Sequence, residues 1–415
     1  MENIPVVPTG PEGFPRLGEA DFLWTKPRPH NPAGTLSASG CPQSSALCTG
    51  SRVCAVYDDD ETLKTYNSPL QVVSAEPVGK IRVAVVGLGR IASLLEEDPL
   101  REKPCTHTGA VIANPDCTLV GGADKDEHRR DLFKKRWGSP VYADAQDMIK
   151  DLRPHILIIA TNPDSHAAYC SLASSCKVPV AVCEKPLADS LEKARHIAYL
   201  HEEELIKILT NHERRYAEDY IEAKSILGKK DLGDVLSVKA SLYMGSKRSL
   251  IDILWHDGTH LADAVMFLTG FTMIHEQKWG SRFDSQRGTA FLAGYLEAPK
   301  PLVKAPEPSI PFVIELGGKR DHIVFEIEFS CEQGRLRIGN GIFEVWNSSP
   351  SPYAEGYRSL QRHTDGFKRP TYYFVNMLSD AVRCVLDPRH QPRSSALDGL
   401  KVINYLNSIR PWRNL

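Results

Sequence analysis

The sequence is short of the features that mark several large protein classes. No apolar run approaches the ~20 residues that a membrane span requires, so no membrane partner is expected. The opening MENIPVVPTGPEGFP has no basic segment followed by an apolar one, so no secretory leader is expected. Positive charge is not in excess: net charge is −2 and no long cationic run occurs, so nucleic acid is not an expected partner. The ten cysteines contain no C-x-x-C pair, which removes the common zinc and dithiol motifs. Scattered thiols of this kind imply a reducing, cytoplasmic setting. Cys41, Cys48 and Cys54 are read as three unrelated thiols.

What is present describes a folded chain of more than one domain. There are 415 residues, 42% hydrophobic and 25% charged, enough to bury a large core without staples. Residues 1–78, rich in Pro, Gly and Ser, read as an extended or partly disordered arm, with RVCAVYDD (52–59) as a possible short strand. From residue 79 to 210 apolar β-branched runs alternate with helical patterns: IRVAVV, TLVGGA, HILIIA, VPVAVC and IKILT. Such alternation predicts βαβ units and a doubly wound parallel sheet. After 211 the pattern changes. EDYIEAKSILGKKDLG reads as a helix closed by Gly233, and THLADAVMFLTG as one ending at Gly270. Strand-like runs follow, then two helices. This predicts an α+β domain over 211–415 with a largely antiparallel open sheet. APKPLVKAPEPSIP (298–311) reads as a surface loop.

GLGRIA follows the first strand directly, so Gly87, Gly89 and Ala92 fit G-x-G-x-x-A. The first glycine permits the tight turn, and the second lets backbone approach a pyrophosphate. The alanine allows close helix packing, and the helix N-terminus offers free N–H groups to the anion. Arg90 and Ile91 complete this cofactor turn. Asp124, ending the second strand, is placed to accept from a ribose 2′-OH and to repel a 2′-phosphate. NAD is therefore favoured over NADP, although Lys125 softens the repulsion. Asp124 comes later after Gly87 than the usual ~20 residues, and SLLEEDPLREKPC (93–105) reads as an insertion.

WHDGTHLAD (255–263) sets His256 and His260 four apart, on one face if the segment is α-helical. The spacing matches the histidines of H-E-x-x-H. Here the intervening acid is the shorter Asp257, and no third ligand follows at a known spacing, so no metal is expected. A histidine suits proton transfer instead.

Several segments together resemble the glucose–fructose oxidoreductase/inositol dehydrogenase family, Gfo/Idh/MocA. VAVVGLGRIA resembles its opening, IIATNPDSHAAYC its third-strand motif and VAVCEKPLADSLEKAR its Glu-Lys-Pro signature. ILTNHERRYAEDY and LGDVLSVKA resemble the domain junction. WHDGTHLADAVMFLTG resembles the active-site helix, and FSCEQGRLRIGNG the sheet near the end. The likeness covers about residues 80–412.

The resemblance implies roles. Lys185 matches the lysine beside nicotinamide and the substrate hydroxyl, with Glu184 on the cofactor side. Thr161, Asn162 and His166 match the loop facing the cofactor, although relatives often read T-P-N where this chain reads T-N-P. Arg215 matches a junction arginine expected at the substrate, and His260 the acid–base histidine. Relatives commonly carry Asp four places before that histidine. This chain has His256 there and Asp257 one place on. His256 is thus a further catalytic candidate, and Asp257 a substrate contact able to orient His260 only if the helix start is irregular. Lys185 either shares the proton or stays charged against a developing alkoxide.

The expectation is an NAD(P)-dependent oxidoreductase acting on a sugar, sugar derivative or cyclitol, self-associating through the second-domain sheet. Two alternatives are a glycoside hydrolase working by transient oxidation with bound NAD, and a cofactor-binding sensor or scaffold without turnover.

Overall fold

The computed structural model describes residues 79–409 except 247, 277–280, 299–308 and 365. The expected arm over 1–78, its short strand and cysteines, and most of the 298–311 loop lie outside the described residues. No described helix is long and apolar enough to cross a membrane.

The first sheet holds β1 (Ile81–Val86), β2 (Cys117–Ala123), β3 (Val141–Tyr142), β4 (Ile156–Ile159), β5 (Val180–Cys183) and β6 (Lys207–Thr210). Every pairing is parallel, in the order β3-β2-β1-β4-β5-β6. This is the doubly wound order of dinucleotide-binding domains. Both faces are covered by helices, so β4 and β5 are apolar throughout and β1 is so but for Arg82: Val83, Val85, Ile156, Ile158, Val180 and Val182 have no exposed surface. Side-chain caps start the covering helices. Asp126, Asp144 and Ser190 each accept from backbone N–H groups of the first turn. The strand order reverses between β1 and β4, which opens a crevice at the strands' C-terminal ends. Gly87, Thr161, Glu184 and Asn211 all follow strand ends at this edge.

The second sheet contains β7 (Val235–Met244), β8 (Thr272–His275), β9 (Arg282–Asp284), β10 (Thr289–Glu297), β11 (Ile310–Gly317), β12 (Ile323–Cys331), β13 (Gly334–Gly339), β14 (Ile342–Pro350) and β15 (Arg358–Arg362). Its order is β15-β14-β13-β12-β7-β11-β10-β8, with β9 on β10. Only the β7–β11 pairing among these is parallel. Period-two burial along β10 and β12 puts Leu292, Leu296, Phe325, Ile327 and Phe329 inward. They share a core with Leu261 and Val265 of helix Gly258–Thr269 and Ala223 of helix Glu218–Gly228. The expected two-domain class, a doubly wound sheet followed by an α+β open sheet, is what the structure contains.

Two details differ. Helix Glu218–Gly228 ends before Gly233; Lys230 and Gly233 both take positive φ, so the glycine serves the turn into β7. The two C-terminal helices also return to the first domain. Helix Tyr373–Leu386 buries Phe374, Met377 and Leu378 on the face of β4 and β5. Helix Ala396–Ser408 adds Ala396 and Ile403 to the core on the other face.

Candidate active site

The glycine turn is built as its sequence implies. Gly87 has φ +84°, and a Cβ there would lie 2.7 Å from the Ala160 carbonyl oxygen, so only glycine fits. A Cβ on Gly89 would meet nothing nearer than Arg129 Nη1 at 3.8 Å; the space over the turn is open backbone, the cradle a pyrophosphate needs. Asp124 reaches back to the same turn. Its Oδ2 accepts from Leu88 N at 2.8 Å and its Oδ1 from Asp126 N at 2.9 Å. Arg129 Nη1 lies 3.6 Å from Oδ2.

The expected helix directly after the turn is interrupted. Residues 90–93 form turns, Leu94–Glu97 is 3-10 helix, and the α-helix spans His107–Ala113. Yet the carbonyls of Ile91 and Ala92 accept from the amides of His107 and Thr108. That is the bonding of one helix resumed after an excursion. Ile91 to His107 covers 16 positions where an α-helix covers four, so about twelve residues are looped out. Removing them brings the Gly87–Asp124 separation back near the usual spacing of roughly 20. The excursion lies on the strand-end side: Leu95 and Arg101 line a cleft there. Glu102 ties it down by accepting from Thr371 N at 2.8 Å and Tyr372 N at 3.2 Å.

The cleft has a volume of about 630 Å³ and lies between the strand-end edge of the first sheet and the junction, helix Gly258–Thr269 and β12–β13. Of the expected residues, Ile91, Thr161, Glu184, Lys185, Asp257 and His260 line it. Lys185 Nζ donates to the carbonyl of His256 at 2.9 Å. Asp257 is paired with Arg248 at 3.0 Å. His260 Nδ1 lies 3.2 Å from Glu213 Oε1, close but not aligned as a hydrogen bond. Burial pushes the His260 imidazole down to about 4, with Lys185 and Arg214 acting the same way against the opposing pull of Glu213. Burial opposes ionisation of Glu213 too, but His260, Arg214 and Lys185 outweigh it and hold its carboxyl well below the usual range. Both directions favour a neutral imidazole beside a carboxylate near neutral pH.

Other expected residues stand elsewhere. His256 is exposed and stands outside the cleft lining, at the end of the π-helical stretch Ile253–Asp257, and its carbonyl accepts from Lys185. Arg215 is buried away from the cleft. Its guanidinium meets Asp263 at 2.8 Å and Asp398 at 3.2 Å. His166, fully buried, directs Nδ1 at the carbonyls of Pro186 and Leu187 and Nε2 at that of Thr161. It clamps the Glu-Lys-Pro loop to the β4 loop. Asn162 gives its carbonyl to Ser165, and its side chain is absent from the cleft lining.

Three residues not singled out by sequence reasoning complete the site. Glu184 Oε1 meets His107 Nε2 at 2.7 Å and Asn211 Nδ2 at 2.6 Å, and its Oε2 accepts from Lys185 N at 3.1 Å. Burial works against the charged form, but the His107 and Asn211 bonds and Lys185 keep the Glu184 carboxyl below its ordinary value. Asn211 Oδ1 is a buried acceptor without a protein partner. Glu213 is the third. Asn211 and Glu213 follow β6 within three residues, so their signal was position at a strand end. His107 was hidden by the excursion that precedes it.

Residues 81–212 match the sequence profile of the Gfo/Idh/MocA oxidoreductase family, NAD-binding Rossmann fold. The match covers the part of the chain that carries the parallel sheet and the glycine turn. The chain is 32% identical over 118 residues to an inositol 2-dehydrogenase of Rubrobacter xylanophilus, covering 28% of this chain and 30% of that protein. It is 24% identical over 209 residues to the glucose-6-phosphate 3-dehydrogenase of Bacillus subtilis, covering 47% and 55%. Aligned segments thus span about half or less of these curated relatives. A solved oxidoreductase from Agrobacterium radiobacter, in complex with NAD+, L-tartaric acid and magnesium, superposes with TM-score 0.58 at 16% identity. It covers 79% of this chain and 94% of its own, a likeness of fold. The open cradle at Gly89 and the orphaned Asn211 acceptor, matched to an amide donor, both fit a nicotinamide dinucleotide.

Proposed function

We propose that the chain is an NAD(P)-dependent dehydrogenase or reductase that moves hydride between nicotinamide and a CH–OH or C=O carbon of a sugar, sugar derivative or cyclitol. The observation carrying this reading is that Lys185 and His260 line one cleft that opens at the strand-end edge carrying the glycine turn. The bound cofactor supplies the hydride chemistry, and the chain's residues handle the proton. In the oxidative direction a neutral His260 accepts the hydroxyl proton. Lys185, steadied by the His256 carbonyl, directs its ammonium at the substrate oxygen. Glu184, fixed by His107 and Asn211, holds the Lys185 backbone. NAD is the favoured cofactor, because Asp124 sets a carboxylate at the end of β2.

Support for a polyol-like substrate comes from the mixed wall, where Asn340, Thr371 and Tyr373 stand beside Lys185 and Arg214. Self-association through the second sheet is supported by Phe291 and Val313, 44% and 48% exposed on neighbouring strands; sedimentation of the purified chain reads it directly.

The test is a polyol and sugar-acid panel followed by NADH absorbance with Lys185→Ala and His260→Ala. Each variant is expected to lose roughly 10²-fold or more in kcat, the lower part of general acid–base effects. Losses under about tenfold in both would sink the assignment.

A further inference from the structure

We propose that Glu213 is the positioning residue of His260: its carboxylate holds the Nδ1 side of the imidazole and leaves Nε2 to the reacting hydroxyl. The inference rests on the dehydrogenase reading above and adds a residue to it.

Four observations carry it. Glu213 and His260 both line the cleft, and Oε1 lies 3.2 Å from Nδ1. His260 Nδ1 is buried with no aligned hydrogen-bond partner, so Glu213 is the acceptor within reach. Such contacts are often loose before substrate binds and tighten in the complex. Glu213 is itself anchored. Oε1 accepts from Arg214 Nη1 at 2.8 Å, and the Arg214 guanidinium lies 3.8 Å over the Phe325 ring and 3.3 Å from Asn340 Oδ1. The carboxylate is therefore braced by the second sheet while its chain position belongs to the junction after β6. Finally, no acid on the histidine's own helix competes. Asp257 is held by Arg248, and Asp263 by Arg215 and His212.

The chemistry follows from the charges. When His260 takes a proton from the substrate hydroxyl, an imidazolium forms in a buried site that already faces two cations, Lys185 and Arg214. An adjacent carboxylate offsets both the burial and those cations. It also selects the tautomer with hydrogen on Nδ1, the one whose Nε2 lone pair can act as base. Asp257 is the further charged group on the cleft wall near this helix.

The test compares Glu213→Gln and Glu213→Asp with the wild type in the full chain. Gln keeps shape and removes charge; Asp restores charge at shorter reach. Glu213→Gln is expected to lower kcat roughly 10–100-fold, within the range of acid–base effects, with KM changed less than threefold. Unchanged NADH affinity, read by fluorescence titration, shows that the cofactor edge is intact. Glu213→Asp should regain part of kcat. A kcat for Glu213→Gln within threefold of wild type overturns the proposal, as does a loss that Asp does not relieve. A second arm needs no turnover. The imidazole resonance of His260, assigned by its disappearance in His260→Asn, is titrated by NMR. Loss of the Glu213 carboxylate should move its midpoint to lower pH, and an unmoved midpoint overturns the contact. If the wild type oxidises no polyol while this midpoint still moves, the dehydrogenase reading fails and the Glu213–His260 contact stands.

Discussion

Replacing Arg215 separates a structural arginine from a substrate-binding one. Its Nε lies 2.9 Å from Asp263 Oδ1 and 3.0 Å from Oδ2, and Nη1 donates to the Arg393 carbonyl at 3.0 Å. Asp263 is only 1% exposed, and His212 Nδ1 lies 2.9 Å from its Oδ1. Arg215→Met therefore strands a buried carboxylate whose main counter-charge is gone. Breaking a buried pair from one side costs about 3–5 kcal/mol. With an m value of ~3 kcal/mol/M in urea, the unfolding midpoint drops by roughly 1–1.7 M. Adding Asp263→Asn should recover part of that loss, since no unpaired charge is then buried. The pH dependence has a defined sign. Burial opposes ionisation of Asp263, but Arg215 and His212 prevail and bring its carboxyl down to about 2 from an ordinary 3.8. A carboxyl depressed by folding stabilises above its unfolded value and loses that contribution as pH falls through the folded one. In wild type the loss runs from about pH 4 toward 2; in Arg215→Met it begins at higher pH. The assay is urea unfolding by tryptophan fluorescence, with substrate KM measured in parallel. An unchanged midpoint together with a strongly raised KM would refute the structural assignment and return Arg215 to the substrate.

Two further substitutions probe the cofactor turn and the excursion. Gly87→Ala places a Cβ against the Ala160 carbonyl at φ +84°. It should cost more than the ~1 kcal/mol of left-handed strain alone, visible as a lower unfolding midpoint and weaker NADH binding by fluorescence. Glu102→Ala removes the acceptor shared by the Thr371 and Tyr372 amides. Losing a charge-assisted bond of ~1.5 kcal/mol should speed hydrogen exchange at both amides about tenfold and raise substrate KM, with NADH affinity unchanged.

Legibility in the sequence followed burial. The parallel strands were legible because each is covered on both faces and so reads as an unbroken apolar run, as ILII and VAVC do. β3, with two half-buried residues at the sheet edge, carries too little pattern to read. Lys185 and His260, each expected from a motif on one continuous segment, line one cleft. Arg215 was misplaced because a motif records that an arginine occurs, not which carboxylate it meets; Asp263 is 48 positions away. Glu213 was missed for the same reason: its partnership with His260 exists only once the junction folds against helix Gly258–Thr269. His256 was expected beside His260 from spacing alone, but spacing does not fix exposure: the residue ends a π-helical stretch, Ile253–Asp257, and lies outside the cleft lining. π-turns collect at functional sites. Here the turn presents the His256 carbonyl, rather than its ring, to Lys185.

The excursion after the glycine turn shows how a long insertion can leave the site's inner wiring untouched. Its ends are pinned to each other by two helical hydrogen bonds, Ile91 to His107 and Ala92 to Thr108, so the helix resumes in phase. Ends already held together make the extra loop length cheap, since closure entropy grows only with the logarithm of length. Phase matters because His107 is the first residue after the splice. Its Nε2 must meet Glu184 across 77 positions of sequence at 2.7 Å, and its ring must stand edge-on to Phe374 at 4.9 Å. A helix resumed one residue out of phase would turn His107 by roughly 100° and empty that place. Glu184 would then lose the partner that offsets its burial. The loop itself faces the cleft through Leu95 and Arg101. Cleft-facing surface thus sits at a point where the helix's own bonding fixes the register of everything behind it.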